Sequence, residues 1–534
     1  MGTRLHNMTG MSMMKTNGGT RRRRTAWGPA LAVATVALLA AAPAVAADRA
    51  DTVIVAGAGS VNTLDPIASD YVQTNTITSR IYSPLVTYDA KLNVVGDLAS
   101  DYKVAPDARS IDFTIRAGAV FHDGTPVTAK DVAYTFDRIK RVAKGVAAYI
   151  SLYDSAVVTD DQHVTLKLTA PSALFLTSLS KIYILNSKLV TANAGSDDGQ
   201  AWLQNHDAGS GPYLLTSDNG GNEVIMDWFG KTWQPKGARP TTLDFQRADE
   251  SGPKRDELAS GAIDAASNVI DRDLDALAKV SGVTVAYGRA PSVDGIYFNP
   301  SSPDVSDVRV RQAVALAYDY KGALSGIHRN HGALPSGILP DTLPCQPDFP
   351  TVAQDLAKAK QLLADAGKSS LTLTLRFQPV FQEQAQEATL LQSNLKAIGV
   401  TLNLEPIAFP NYLQLLHDPK QIPAMMLLAE SGLFPDPGVF LTKTYMTGQL
   451  GTNRAGYSNP KVDDVLGKAV VEADADKRCD LYKEAQTLIQ ADAVFMPMWW
   501  AGSTLAYRSD HLADPLNGSI SSNFAPLPYN LKAK

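Results

Sequence analysis

Phe113-Thr114-Ile115-Arg116, followed by Phe121-His122-Asp123-Gly124-Thr125-Pro126-Val127-Thr128-Ala129-Lys130-Asp131-Val132, reads as strand, strand with an Asp-Gly turn, and the start of a helix. Glycine after aspartate suits a tight turn because it takes positive φ without a steric penalty. Thr128 and Asp131 have the spacing of a capping box, in which each residue satisfies an orphan N–H at the helix start. The helix then runs through Val132 and Phe136, and 164–168 alternates as a further strand. This stretch predicts a small strand-rich module.

The chain beyond it alternates strands and helices, which argues for an α/β fold. Leu371, Leu373, Leu375 and Phe377 alternate with polar residues as a half-buried strand does. Ala388, Leu391, Leu395 and Ile398 form one helical stripe, and Gly399 stops it. Val400, Leu402 and Leu404 alternate again before Pro406, so the two strands are expected to run parallel through a right-handed crossover. Further helices are predicted from Val310 to Ala317, with Ser306 and Asp307 as caps, and through Leu356, Ala359 and Leu363, capped by Thr351 and Gln354. Two more run through Val462, Leu466 and Ala469, and through Tyr482, Ala485 and Ile489.

Arg21, Arg22, Arg23 and Arg24 precede an apolar stretch over 27–39 that ends in Ala44-Val45-Ala46-Ala47, the pattern of a cleaved export signal. A retained anchor is the alternative, but Pro43 interrupts the segment and it is shorter than the ~20 residues a bilayer span needs. Removing 47 of 534 residues leaves 487, enough for about three domains. Six basic residues and no acid leave with the signal, so the net charge goes from −5 to −11. An acidic chain argues against nucleic acid and against anionic membrane. Cys345 and Cys479 are the two cysteines, and neither stands at the cleavage point, so no lipid anchor is expected. An oxidising compartment permits a disulfide between them; the alternative is that Cys479 is a small core residue.

Catalytic patterns fail when tested. The opening Gly57-x-Gly59 has Asn62 where a dinucleotide-binding turn needs its third glycine. Ser178-x-x-Lys181 lacks its Lys-Thr-Gly companion and reads as helix surface. His328 and His331 have no carboxylate or thiolate near them in sequence and read as a solvated loop. No catalytic residue, metal site or cofactor is predicted.

The opening stretch resembles the signature of the extracellular solute-binding proteins of family 5, which serve oligopeptide, dipeptide and nickel ABC importers. The resemblance continues through Ile81-Tyr82-Ser83-Pro84-Leu85-Val86, Gly209-Ser210-Gly211-Pro212-Tyr213, Asp307-Val308-Arg309-Val310-Arg311-Gln312-Ala313 and Tyr457-Ser458-Asn459-Pro460-Lys461-Val462-Asp463. It implies a two-lobed periplasmic binding protein, type II and cluster C-like, with an extra strand-rich domain inserted in lobe one. The expected division is a signal over 1–47, lobe one over 48–90, 208–295 and 501–534, the inserted domain over 91–207, and lobe two over 296–500. The chain is then expected to cross between lobes near Tyr297-Phe298-Asn299 and near Met498-Trp499-Trp500.

The resemblance also implies a ligand wall: Val61 and Asn62, Phe298 and Asn299, the loop Glu430-Ser431-Gly432-Leu433-Phe434, and one of Trp499 and Trp500. Peptide-binding relatives hold the peptide amino group with an aspartate three residues before an Asp-Pro pair. Asp436-Pro437 fits the pair, but Leu433 stands at the aspartate's place. Glu430 either takes over the cation or is a rim carboxylate facing water. Peptides are the default ligand; an opine, sugar, organic acid or metal chelate is the alternative on the same scaffold, and an exported hydrolase the alternative of another class. Importer permease subunits are the expected partners, with the binding protein itself a monomer; reporting ligand to a membrane chemoreceptor is a further alternative role.

Overall fold

The computed structural model describes residues 49–57, 61–69, 71–368, 370–379, 381–418, 420–432, 434–449, 452–516, 524 and 526–533. The export signal expected over 1–47 and Leu433 lie outside the described residues.

An 11-stranded mixed sheet runs through the molecule. At one end Thr52–Gly57 lies parallel to Thr242–Arg247 and Ala265–Ala266, with Glu223–Trp228 and Tyr213–Asp218 added antiparallel at the edge. At the other end Leu371–Phe377 lies parallel to Val400–Pro406 and to Met425–Ser431. The strand–helix–strand unit read from alternation is therefore present, with the helix Gln382–Lys396 as its crossover. Between the two ends run two long strands, Val283–Phe298 outward and Phe495–Arg508 back, paired antiparallel. Their register shifts between Arg289 and Val293. Before the shift the outgoing strand pairs only with the returning one; from Ser292 it also pairs with Met425–Ser431. The register shift thus precedes Tyr297-Phe298-Asn299 by several residues and lies opposite 500–502. Gly332 sits against this stretch with φ +113; a Cβ there would stand 2.3 Å from Trp500 O, so no other residue fits.

The strand-rich module is a four-stranded antiparallel sheet in the order Ala99–Val104, Ser110–Ile115, His163–Leu168, Tyr153–Val158. Gly124 N donates to Phe121 O at 2.8 Å with Gly124 at φ +85, so the Asp-Gly turn forms. The second strand expected at 121–124 does not: pairing there is the single bridge Val120–Pro126, because proline offers no N–H to continue a ladder. Thr128 N and Oγ1 both donate to Asp131 at 2.8 Å and open the helix Ala129–Val142. The module has no core of its own. Phe113, Phe136 and Leu166 belong to one continuous cluster with Val53 and Met226 of the large sheet.

A buried ion pair fastens the two parts. Asp65 accepts two bonds from Arg138, at 3.0 and 2.7 Å, and both side chains are fully buried. Taking such charges out of water is offset only while both partners remain. Helix Leu356–Asp365 is capped by Asp355, whose carboxylate accepts from Lys358 N; the expected Thr351/Gln354 box does not form, since Gln354 Nε2 donates to Ala317 O instead. Cys345 and Cys479 are joined as a disulfide that closes a separation of 134 residues.

Arg138→Ala is expected to lower the unfolding free energy by about 3–5 kcal/mol, and adding Asp65→Ala to recover part of that loss, as read by urea denaturation. Cys345→Ser is expected to lower it by about 2–5 kcal/mol, an effect that reductant reproduces in the wild type but not in the variant.

Candidate functional site

Glu430, Val293 and Trp500 are direct cross-strand neighbours on three adjacent strands and therefore share one face of the sheet. The row lies just past the register shift between the two long strands. Beyond its end, Gly432 N donates to Pro291 O at 2.7 Å and seats the loop that leads to Phe434. Phe434 meets Tyr149, which precedes the strand Tyr153–Val158, edge to face at 5.1 Å between centroids. Nearby, Ala173 N donates to Val470 O at 2.8 Å, and Leu174 packs into the lobe-two cluster of Tyr297, Leu343 and Tyr482. Val293 and Trp500 of the row belong to the same buried cluster as Leu174.

Glu430 is neither a free receptor for a cation nor a rim carboxylate. It is 8 % exposed, and Arg454 Nε donates to it at 2.5 Å. Burial works against the Arg454 charge, yet Glu430 beside it holds the guanidinium above its ordinary value. Ser431 is exposed at the strand end, and Asp436 caps the next helix through Gly438 N at 2.8 Å. Arg289 Nη2 donates to Asp341 at 2.9 Å, with its guanidinium 5.8 Å from the Trp500 ring centre.

Other expected wall residues point elsewhere. Phe298 is 1 % exposed in the cluster of Val310, Leu373 and Met425. Asn299 is consumed by a turn: its amide donates to Ile422 O and its oxygen accepts from Ser301 N. Val61 lines a cavity of about 220 Å³ in lobe one, at the carboxyl ends of Thr52–Gly57 and Thr242–Arg247, with Arg80, Phe245 and Tyr529 also in its wall. Asn62 beside it is exposed. Successive strand residues face opposite sides, which separates the two tryptophans. Trp500 takes the row face, whereas Trp499 stacks on His328 at 3.8 Å and donates to His331 O at 2.8 Å. Ser178 is buried with its hydroxyl bonded to Tyr149 O and Phe175 O, and burial pushes the Lys181 amine down to about 8, so that segment is no helix surface. Among the described residues no group of three His, Cys, Asp or Glu is disposed to hold a metal.

The family pattern described as bacterial extracellular solute-binding proteins, family 5 middle region, matches residues 93–451. The chain belongs to that family. Proteins of family 5 are substrate-binding proteins of transporters rather than enzymes. This family 5 chain is 28 % identical over 476 residues to the probable D,D-dipeptide-binding periplasmic protein of Escherichia coli (strain K12), covering 86 % of this chain and 90 % of that one. Its fold is that of HbpA2 from Haemophilus parasuis, with TM-score 0.81, 20 % identity and coverage of 90 % and 100 %. The DppA protein of Helicobacter pylori, solved with the peptide STSA, gives TM-score 0.72 at 21 % identity, covering 90 % and 98 %. Among the described residues no helix is long and apolar enough to cross a membrane.

Sequence reading missed Arg289, Arg454 and Tyr149, whose roles come from tertiary neighbours; an arginine beside Asn453 carries no local signal. It also put His328 in a solvated loop. His328 is 6 % exposed, and its Nε2 lies 2.8 Å from Glu387, beneath the hinge. Asp294, paired with Trp499 across the strands, completes the cluster. Burial first, then Glu387, pushes the Asp294 carboxyl up to about 7; burial, then Glu383, pushes Glu387 up to about 8. Burial pushes His328 down to about 4.

An acid with a raised folded pKa keeps a proton that the unfolded chain has released, so the fold loses stability as pH climbs from the ordinary carboxylate range to about 8. His328 acts oppositely, weakening the fold as pH falls from about 6.5 toward 4. Two acids outweigh one imidazole. Melting temperature is expected to fall between pH 5 and 8, and Glu387→Gln to flatten that slope; scanning calorimetry across the range checks it.

Proposed function

We propose that this chain is the periplasmic capture component of an ABC importer, which closes two lobes around a small ligand and hands it to the permease subunits. Peptides are the ligand class this reading favours, by likeness to the D,D-dipeptide and peptide-bound relatives. The observation that carries it is the double crossing beside the row Glu430–Val293–Trp500, with Tyr149 of the opposite lobe against Phe434. A ligand seated there touches both lobes only when they are closed, so binding shifts the population toward the closed form that a permease recognises. The proposed boundaries are 48–90, 208–295 and 501–534 for lobe one, 91–207 for the inserted module and 296–500 for lobe two. The chain is exported through a cleaved signal over 1–47, carries no lipid anchor, and works as a monomer without cofactor or catalysis.

Thermal-shift screening of the mature protein against a peptide library, followed by small-angle scattering with any hit, tests this. A ligand at 100 times its dissociation constant adds about 2.7 kcal/mol and raises the melting point, and the radius of gyration is expected to shrink. No shift with any small molecule, together with an unchanged radius, would remove the reading.

A further inference from the structure

The wall between the lobes has an unusual charge balance. Each carboxylate placed around it already has its own guanidinium: Glu430 with Arg454 at 2.5 Å, Asp341 with Arg289 at 2.9 Å, and Asp436 with Arg478 at 3.7 Å. The Glu430 and Arg454 side chains are only 10 % and 9 % exposed, so prising them apart would strand a buried charge. Position 433 is a leucine and offers no replacement. An ammonium group brought here would lose its water and find no carboxylate to receive it.

Hydrogen-bond donors are in the opposite state. Trp500 is 6 % exposed, and its Nε1–H has no acceptor among the described residues. The Arg289 Nε–H beside it also has none, although its Nη2 is held by Asp341. Two N–H groups lack an acceptor among the described residues, one of them on a permanent cation whose guanidinium lies 5.8 Å from the Trp500 ring centre. Unmade bonds at buried donors are costly, and an incoming carboxylate would satisfy both through charge-assisted bonds.

We propose that the ligand is a carboxylate without a free ammonium group, an N-acylated peptide or an organic acid of similar size, with its carboxylate on Arg289 and Trp500. This rests on the solute-binding reading and narrows its ligand class. The specificity-determining residues are Arg289 and Trp500, and Glu430 is silenced by Arg454.

Four matched probes separate the charges: Ala-Ala-Ala, its N-acetyl form, its amide, and the N-acetyl amide, tested by calorimetry beside a set of ammonium-free organic acids. N-acetyl-Ala-Ala-Ala is expected to bind about tenfold or more tighter than either Ala-Ala-Ala or the N-acetyl amide. Arg289→Gln and the milder Trp500→Phe are each expected to weaken that probe by about tenfold. Binding only by ammonium-free organic acids keeps the inference while removing the peptide reading. Binding that requires the free amine removes the inference while leaving the peptide reading intact. Equal binding of acid and amide, or no binding by any carboxylate in the set, also overturns it.

Discussion

Val283–Phe298 and Phe495–Arg508 are hydrogen-bonded to each other from one lobe into the other, and the architecture hangs on that ladder. The register shift at 289–293 interrupts the pairing, and Gly332–Ala333 adds a third strand there against Trp500 and Ala501. Each half of the ladder is then extended by its own strands, parallel ones included, and each half is covered on both faces by separate apolar clusters.

The same ladder distributes the chemistry. Residues alternate across its faces, so one side of the crossing carries Trp500 and Val293 toward the wall between lobes, and the other carries Trp499 and Asp294 toward His328 and Glu387. The wall side holds permanent charges already matched in pairs. The far side holds groups that burial has driven toward their neutral forms.

Local rules were legible where one residue sets the backbone. Gly124 in its turn, Thr128 and Asp131 at a helix start, and the alternation of Leu371 to Phe377 each act within a few residues, so they read directly. The cap of Leu356–Asp365 was misplaced because Thr351, Gln354 and Asp355 all have capping chemistry, and packing against Ala317 chose among them. The site was less legible. The loop 430–436 could be found, but the state of Glu430 depends on Arg454, 24 residues away in sequence, and the facing aromatic comes from Tyr149 in another module.

Sequence by itself determined the alternating α/β character, the strand-rich module, the export pattern and the leucine at 433, because these depend on side-chain type and short spacing. Tertiary structure alone decided that Cys345 and Cys479 pair, that the long ladder shifts register at 289–293, and which tryptophan shares a face with Glu430. It also decided that Glu430 is held by Arg454. The reason is common to all four: each depends on which distant strand supplies the neighbour, and periodicity along a chain carries no record of that.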